Sequence, residues 1–304
     1  MSDAPKFISH GLGTVLAISG DDADAFLQGQ FSNDLRQPPG SVVYGLFLNQ
    51  KGKVVADAYA LKHRANGWTL VSHDCPAGAV ADRLAGYIVA DDVSMADETT
   101  ATAGIGVFGG GVAAWLARQI GVAPGAGSFA RSGDLVVFRG RRTGGENFEI
   151  IGPDAACRQL AAHLRTAGAV ETTQADAEYE RIQARRPSVP QDLGDGDLPN
   201  EGNLQEAAIS YTKGCYLGQE VMSRLQNLGQ VRRRLFVVTG EGSAPPPGTP
   251  LFQGGRKVGG VRSAAQAHGK FVAMAMLSLV NLDERRGLAL ASDTAEDLTI
   301  SDRV

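Results

Sequence analysis

The alternation of predicted elements changes near Leu235, and this change restricts the fold more than any other feature of the chain. Before it, apolar periodicity alternates between strand and helix, with strands at 12–19, 42–48, 53–61 and 68–72 and helices at 22–30, 77–87, 153–167 and 174–185. After it, Gly and Pro turns separate short strands at 237–239, 250–252, 257–263, 270–276 and 287–291. We therefore predict the α+β class, with an α+β part at residues 1–234 and a small β-barrel at residues 235–304.

Charge and hydropathy argue against nucleic-acid and membrane partners. The formal net charge is −4, so no overall basic field attracts nucleic acid or an anionic bilayer. No apolar stretch reaches the roughly 18 residues of a membrane span, and residues 1–5 begin no secretory signal. The three cysteines lie far apart, which favours free thiols in a reducing compartment. Together these features predict a cytoplasmic protein.

The spacing of cysteines and histidines predicts no metal site. The chain has no CxxC pair, and its histidines are scattered without a ligand pair at helical or strand spacing. They are His10, His63, His73, His163 and His268.

A glycine motif at 104–109 fits GxGxxG, the fingerprint of dinucleotide-binding proteins. That fingerprint requires an apolar strand ending at its first glycine, whereas a polar, threonine-rich segment precedes it here. We interpret the motif as a strand, and we expect no nicotinamide or flavin site.

Residues 211–220, Tyr-Thr-Lys-Gly-Cys-Tyr-Leu-Gly-Gln-Glu, are the most informative segment for function. They place Cys215 between a cation, Lys213, and the expected start of a helix. A nearby ammonium and a helix N-terminus both stabilise a thiolate. Gly214 removes a side chain that would shield the sulfur. A buried cysteine in a turn is the alternative reading of the same residues.

The segment from Lys213 to Leu235 resembles the YgfZ family of folate-binding proteins, relatives of the glycine-cleavage T-protein that act in iron–sulfur cluster assembly or repair. Lys213 through Glu220 match the whole family signature, Lys-Gly-Cys-Tyr-x-Gly-Gln-Glu. The segment at 20–34 is similar to one shared by the wider aminomethyltransferase superfamily. Weaker matches at 181–182, 199–201 and 259–263 follow in the expected order.

The resemblance implies two α+β modules in a ring-like arrangement plus a C-terminal barrel, enclosing a channel for tetrahydrofolate or a one-carbon derivative. It also implies iron–sulfur client or assembly proteins as partners, with Cys215 as the functional thiol and Lys213 beside it. The cofactor-binding residues carried over or inferred from the chemistry of a pterin and its glutamate tail are Asn33, Asp34, Arg181, Gln183, Glu201, Gly214, Tyr216, Gln219, Glu220 and Arg224.

Two departures from the T-protein pattern bear on activity. Gln183 stands where T-protein relatives carry a glutamate that accepts two pterin N–H groups, and an amide cannot accept both. Asp57 is a single carboxylate where the T-protein has an acidic pair. A tetrahydrofolate-dependent aminomethyltransferase using Asp57 is therefore the second hypothesis, and a scaffold that docks partners through the arginines at 232–234 is the third.

Overall fold

The computed structural model describes residues 4–267, 269–280 and 282–304, and within them the side chains of Leu228 and Asp302 are not described. Residues 1–3 of the N-terminal segment considered above, and His268 among the histidines, lie outside the described residues. No helix in the described ranges is long and apolar enough to cross a membrane.

The first sheet is antiparallel, and two helices cover one of its faces. Its strand order is β3-β4-β5-β2-β6. The strands are β2 (Thr14–Ser19), β3 (Val42–Leu48), β4 (Val54–Arg64), β5 (Gly67–Ser72) and β6 (Ser94–Asp97). Helices α1 (Ala23–Gln30) and α2 (Ala77–Ala85) bury Phe26, Leu27, Val80 and Leu84 against it. Burying four such side chains stabilises the layer by roughly 1.5–3 kcal/mol each.

The second sheet forms the other α+β module, with strand order β11-β1-β7-β10-β9-β8. The strands are β1 (Lys6–His10), β7 (Thr102–Phe108), β8 (Phe129–Ser132), β9 (Leu135–Arg139), β10 (Asn147–Pro153) and β11 (Val170–Glu171). Helices α3 (Val112–Ile120) and α4 (Asp154–Thr166) pack on it through a core that includes Leu116, Leu160 and Leu164. Residues 104–108 of the GxGxxG motif lie in β7 and its last glycine follows the strand, which confirms the motif as strand.

The C-terminal part is a curled antiparallel sheet with order β13-β14-β15-β12-β16. Its strands are β12 (Arg233–Glu241), β13 (Pro250–Gln253), β14 (Arg256–Ala267), β15 (Lys270–Ser278) and β16 (Thr299–Arg303). Residues 287–291 were expected to form a strand, but they form only isolated bridges, Phe252 with Ala289 and Leu288 with Leu298. Gly287 and the turn at 292–295 leave too short an extended run for a continuous ladder.

Two helices of ten residues and two of four residues lie between the second sheet and the C-terminal sheet. Helix α5 (Gln174–Gln183) packs on β14, a 3₁₀ turn spans Pro199–Gly202, and α6 (Gln205–Ala208) and α7 (Gln219–Leu228) flank the decapeptide. One apolar core joins the first sheet to the C-terminal sheet, because it contains both Leu46 and Phe47 and also Leu235, Val272 and Met274. The predicted α+β class with a C-terminal barrel-type sheet is therefore confirmed.

Candidate functional site

The decapeptide loop is anchored by Lys213, which is 5 % exposed. Its ammonium donates hydrogen bonds to three carbonyl oxygens at the end of α1, those of Gln28 (2.7 Å), Phe31 (2.6 Å) and Asn33 (2.9 Å). The C-terminal carbonyls of a helix carry partial negative charge, so they suit a cation. Burial lowers the pKa of the Lys213 ammonium to about 8. All three of its N–H groups are engaged with α1 and its C-terminal loop rather than with the thiol.

The start of α7 lies close against the β3–β4 turn, where Gly218 approaches Gly52. Gly218 has φ +87° and a β-carbon there would lie 2.8 Å from the carbonyl oxygen of Asn49. Helix α7 begins at Gln219, four residues after Cys215, so the thiol lies in the loop and not in the first helical turn. Tyr216, 6 % exposed, packs into the main core. The loop therefore has buried anchors on both sides of Cys215.

Cys215 is exposed, whereas Cys75 and Cys157 are buried. Within the described ranges Cys215 makes no hydrogen bond or ion pair. Burial raises the pKa of the Cys75 thiol, and it raises that of Cys157 to about 11. Because the other two thiols are buried, Cys215 is the cysteine of this chain that is open to partners and reagents.

Asp57 lies on β4 at the wall of an interior cavity of about 50 Å³. Its carboxylate accepts hydrogen bonds from the Tyr44 hydroxyl (2.9 Å) and the Ser72 hydroxyl (2.8 Å), and the Cys75 thiol lies 3.4 Å away. Burial is the largest influence on the Asp57 carboxyl and raises its pKa despite these donors. The arrangement can hold or release one proton inside the protein.

Arginines surround the same cavity. Arg141 lies over the Tyr44 ring, with its guanidinium carbon 4.6 Å from the centroid. The Nε atom of Arg186 is buried and has no hydrogen-bond partner in the described chain. Arg142 and Arg181 also line the cavity, so its wall is rich in fixed positive charge.

Two of the predicted cofactor-binding residues, Arg181 and Glu201, are themselves buried and form ion pairs. Arg181 donates to Asp192 (2.6 Å) and Glu178 (2.6 Å), and its Nη2 reaches the Ser263 hydroxyl on β14. Glu201 pairs with Arg233 at 2.8 Å. Both residues thereby tie the α+β part to the C-terminal sheet.

The other predicted residues do not converge on one cavity. Asn33 donates to the Tyr44 carbonyl, and Arg36 holds the pKa of Asp34 well below its usual range. The remaining ones lie in or near the decapeptide or on α5; Gln183, Gly214, Glu220 and Arg224 are exposed, and Gln219 is half-buried. Arg181 alone of the predicted cofactor-binding set lines the interior cavity, which Asp57 also lines.

Sequence reasoning missed several cavity residues, and one pattern could have revealed them. Tyr44, Tyr59, Ser72, His73 and Arg141 surround Asp57. Asp57 and Tyr59 are two apart in a strand and so share a face, and Tyr44 pairs directly with Tyr59 across the ladder. A carboxylate and two tyrosines on one face of an otherwise apolar hairpin indicate a polar interior.

A larger groove of about 920 Å³ lies between α7 and the C-terminal sheet. Three buried polar atoms at its wall have no hydrogen-bond partner in the described chain, the Oδ1 of Asn200, the Oε1 of Gln205 and the Nε of Arg234. Arg232 also lines it. The groove therefore offers two acceptors and positive charge to a ligand.

Comparison with known proteins identifies relatives over the whole length. Residues 12–213 match the GCVT N-terminal domain, and residues 232–302 match the CAF17 C-terminal beta-barrel domain. The tRNA-modifying protein YgfZ of Serratia proteamaculans (strain 568) is 25% identical over 295 residues, which cover 94% of this chain and 88% of that protein. The mitochondrial iron-sulfur cluster assembly factor IBA57 of Homo sapiens is 27% identical over 271 residues, covering 82% and 72%.

A solved structure supports the same fold. The glycine cleavage system aminomethyltransferase T from Bartonella henselae matches with a TM-score of 0.77 at 20% identity, over 93% of this chain and 81% of that one. At this identity the match is evidence of a shared fold.

Proposed function

Because the chain belongs to the GCVT N-terminal domain family and carries a CAF17-type C-terminal β-barrel, we propose that it is a tetrahydrofolate-binding protein supporting iron–sulfur cluster assembly or repair. Relatives named as iron-sulfur cluster assembly factors support the proposed role in cluster assembly. The structural match to an aminomethyltransferase supports folate as the proposed ligand. We place the protein in the cytoplasm, with iron–sulfur client or assembly proteins as partners.

The observation that carries the proposal is the exposed thiol of Cys215 on a loop held by buried anchors. A loop fixed by Lys213 and Tyr216 presents the sulfur in one position, which lowers the ordering cost when a partner binds. Attack on an oxidised sulfur, a transient mixed disulfide and transient ligation of cluster iron each require such a thiol.

Substitution of Cys215 tests this role. In cells lacking the native factor, Cys215→Ser is expected to fail to restore the activity of iron–sulfur enzymes, while the purified variant unfolds at the same urea concentration as the parent. Cys157→Ser is the matched control, because that thiol is buried and is expected to be dispensable for restoration. Full restoration by Cys215→Ser would disprove the thiol role.

We place the pterin at the Asp57 cavity. The Asp57 carboxylate and the tyrosines beside it offer an acceptor and flat apolar surfaces, which a pterin ring requires. The cavity of about 50 Å³ is smaller than the roughly 300 Å³ of small ligand sites, so binding requires the segment at 186–189 to move outward.

Calorimetric titration with tetrahydrofolate tests the placement. We expect binding that survives Cys215→Ser, is unchanged in Gln183→Glu because Gln183 is exposed and does not line the cavity, and weakens at least tenfold in Asp57→Asn. Arg234→Met in the larger groove is the control and is expected to leave the affinity unchanged. Loss of binding in Arg234→Met with no change in Asp57→Asn would move the folate to the groove.

The hydrogen-bonded carboxyl of Asp57 favours one second function, aminomethyl transfer to tetrahydrofolate. Steady-state transfer from a lipoyl-bound aminomethyl donor, abolished by Asp57→Asn, would establish it. If the protein binds folate but shows no turnover, aminomethyl transfer is rejected and the maturation role is retained.

A further inference from the structure

A second cluster lies beside the cavity and is separate from the thiol. His10 at the end of β1, His73 after β5 and Glu149 on β10 come from three distant segments, and their ligand atoms all lie within 4.8 Å of one another. The Oε2 of Glu149 is 3.2 Å from the Nε2 of His10 and 3.1 Å from the Nε2 of His73. We infer that these three side chains bind one divalent transition-metal ion, with an open coordination position facing the interior cavity.

The distances agree with a shared metal. Bonds of about 2.0–2.2 Å from a metal to nitrogen or oxygen place neighbouring ligand atoms about 2.8–3.6 Å apart in octahedral or tetrahedral geometry. Both histidine-to-carboxylate distances fall in this range. The Nε2 of His73 is buried, and its contact with Glu149 does not have hydrogen-bond geometry, so this lone pair is available to a metal ion.

Hydrogen bonding leaves the Nε2 of His10 as an electron-pair donor. The Nδ1 of His10 lies 2.8 Å from the carbonyl oxygen of Gly11, an acceptor, so Nδ1 carries a proton. The lone pair of Nε2 is then directed toward the Glu149 carboxylate, where one metal ion can bind both groups. Ligand histidines commonly donate their other N–H to a backbone carbonyl in this way.

The cluster is enclosed by protein. The His10 side chain is 7 % exposed and Glu149 is fully buried. Arg142 already pairs with Glu149, so the metal would be a second cation beside this carboxylate.

Arg142 sets the orientation of the carboxylate and limits the affinity. Its Nε donates to the other oxygen of Glu149 at 2.9 Å, which leaves Oε2 free for a metal. Its Nη2 is 3.2 Å from both ring nitrogens of His10. Its positive charge opposes a second cation, and we expect micromolar rather than nanomolar affinity.

Glycines make room for the cluster. A β-carbon on Gly104 would lie 2.4 Å from Cε1 of His10, and one on Gly140 would lie 2.9 Å from Oε1 of Glu149. The first glycine of the GxGxxG motif, Gly104, therefore leaves space for the ring of His10, its partner across the β1–β7 ladder.

We place the open coordination position toward the acidic side chains that line the cavity. His73 lines the cavity together with Asp57 and Asp74, so a fourth ligand could be water or an anionic group of a bound molecule. Two histidines and one carboxylate with open positions suit Zn²⁺ and Fe²⁺.

Metal titration of the full-length Cys215→Ser protein tests the inference, since this background removes the exposed thiol as a ligand. After chelation and dialysis we expect one equivalent of Zn²⁺, and of Co²⁺ with visible d–d absorption, at micromolar dissociation constants. His73→Gln should weaken both at least 100-fold without altering the circular dichroism spectrum, because glutamine keeps a polar side chain beside Glu149.

His63→Gln is the matched control, since His63 is half-buried and bonded to Thr69 away from the cluster. It is expected to bind as the parent does. Equal binding in His73→Gln and the parent, or no Co²⁺ absorption in the parent, would show that the cluster only pairs Glu149 with Arg142 and would overturn the inference.

Discussion

The Cα of Gly52 lies 3.2 Å from the point where a β-carbon on Gly218 would stand. In return, a β-carbon on Gly52 would lie 2.8 Å from Cβ of Val221 on α7. The N-terminus of α7 therefore presses on the β3–β4 turn at two glycines that both have positive φ. The position of the thiol-bearing loop depends on this close approach.

Gly218→Ala is expected to lower the free energy of unfolding by about 2 kcal/mol or more, because it combines a left-handed φ with a backbone clash. Urea unfolding followed by circular dichroism measures the change. Gly214→Ala is the control in the same loop, since its φ is not positive and a β-carbon there meets nothing within 4 Å. Equal destabilisation by the two variants would refute the packing argument.

Lys213→Met is expected to loosen the loop and to cost about 2–4 kcal/mol of stability, because three carbonyl oxygens lose a charged donor. The rate of Cys215 alkylation by iodoacetamide should change as the loop loses its fixed position. Lys51→Met, at an exposed lysine, is the control and should change neither quantity. An unchanged alkylation rate and unfolding midpoint in Lys213→Met would contradict the anchoring role.

The strongly periodic elements were predictable from sequence. Helices α1, α4 and α5 begin and end within about two residues of the predicted bounds, because each carries a clear apolar stripe. Strand β16 was missed, since its polar sequence Thr-Ile-Ser-Asp-Arg has only one apolar residue. It forms because it pairs with β12, a strand some sixty residues earlier in the chain, and local sequence does not report such a pairing.

The site was predictable only in part. The motif identified Cys215, and the exposure of this thiol agrees with the proposed role. The carbonyl oxygens that bind Lys213, however, belong to residues about 180 positions earlier in the chain. The cluster of His10, His73 and Glu149 likewise has no local spacing, because β1, β5 and β10 bring it together. Contacts that only the tertiary fold creates leave no periodic signal in sequence.

Arg181→Met is expected to cost about 3–5 kcal/mol, since it leaves Asp192, which is fully buried, without its cation. Chemical denaturation provides the measurement. The control is Arg158→Met, which breaks an exposed ion pair with Asp154 on α4 and should cost under about 1 kcal/mol. A small effect at Arg181 would mean that water enters and hydrates Asp192.

Asp57→Asn is expected to raise stability at neutral pH, because the native state raises the pKa of this carboxyl. Between the ordinary pKa of aspartate, about 3.9, and the raised native value, the native state holds more protons than the unfolded state. Stability of the parent therefore falls as pH rises through that window, and the difference from Asp57→Asn grows and then levels off. Urea titrations from pH 4 to 8 measure the difference in the free energy of unfolding between the two proteins. A difference that does not change with pH would show that ionisation of Asp57 is not linked to stability.

The shared core and the Arg181 network limit how this protein can be rearranged. Ser263 on β14 donates to Asp192 at 2.6 Å, and Arg262 on the same strand pairs with Asp197 at 3.0 Å. The C-terminal sheet is thus built into the rest of the molecule and is not an appended module. A chimera that exchanges residues 235–304 alone would inherit mismatched charges, so a successful graft must carry the segment at 181–202 with it.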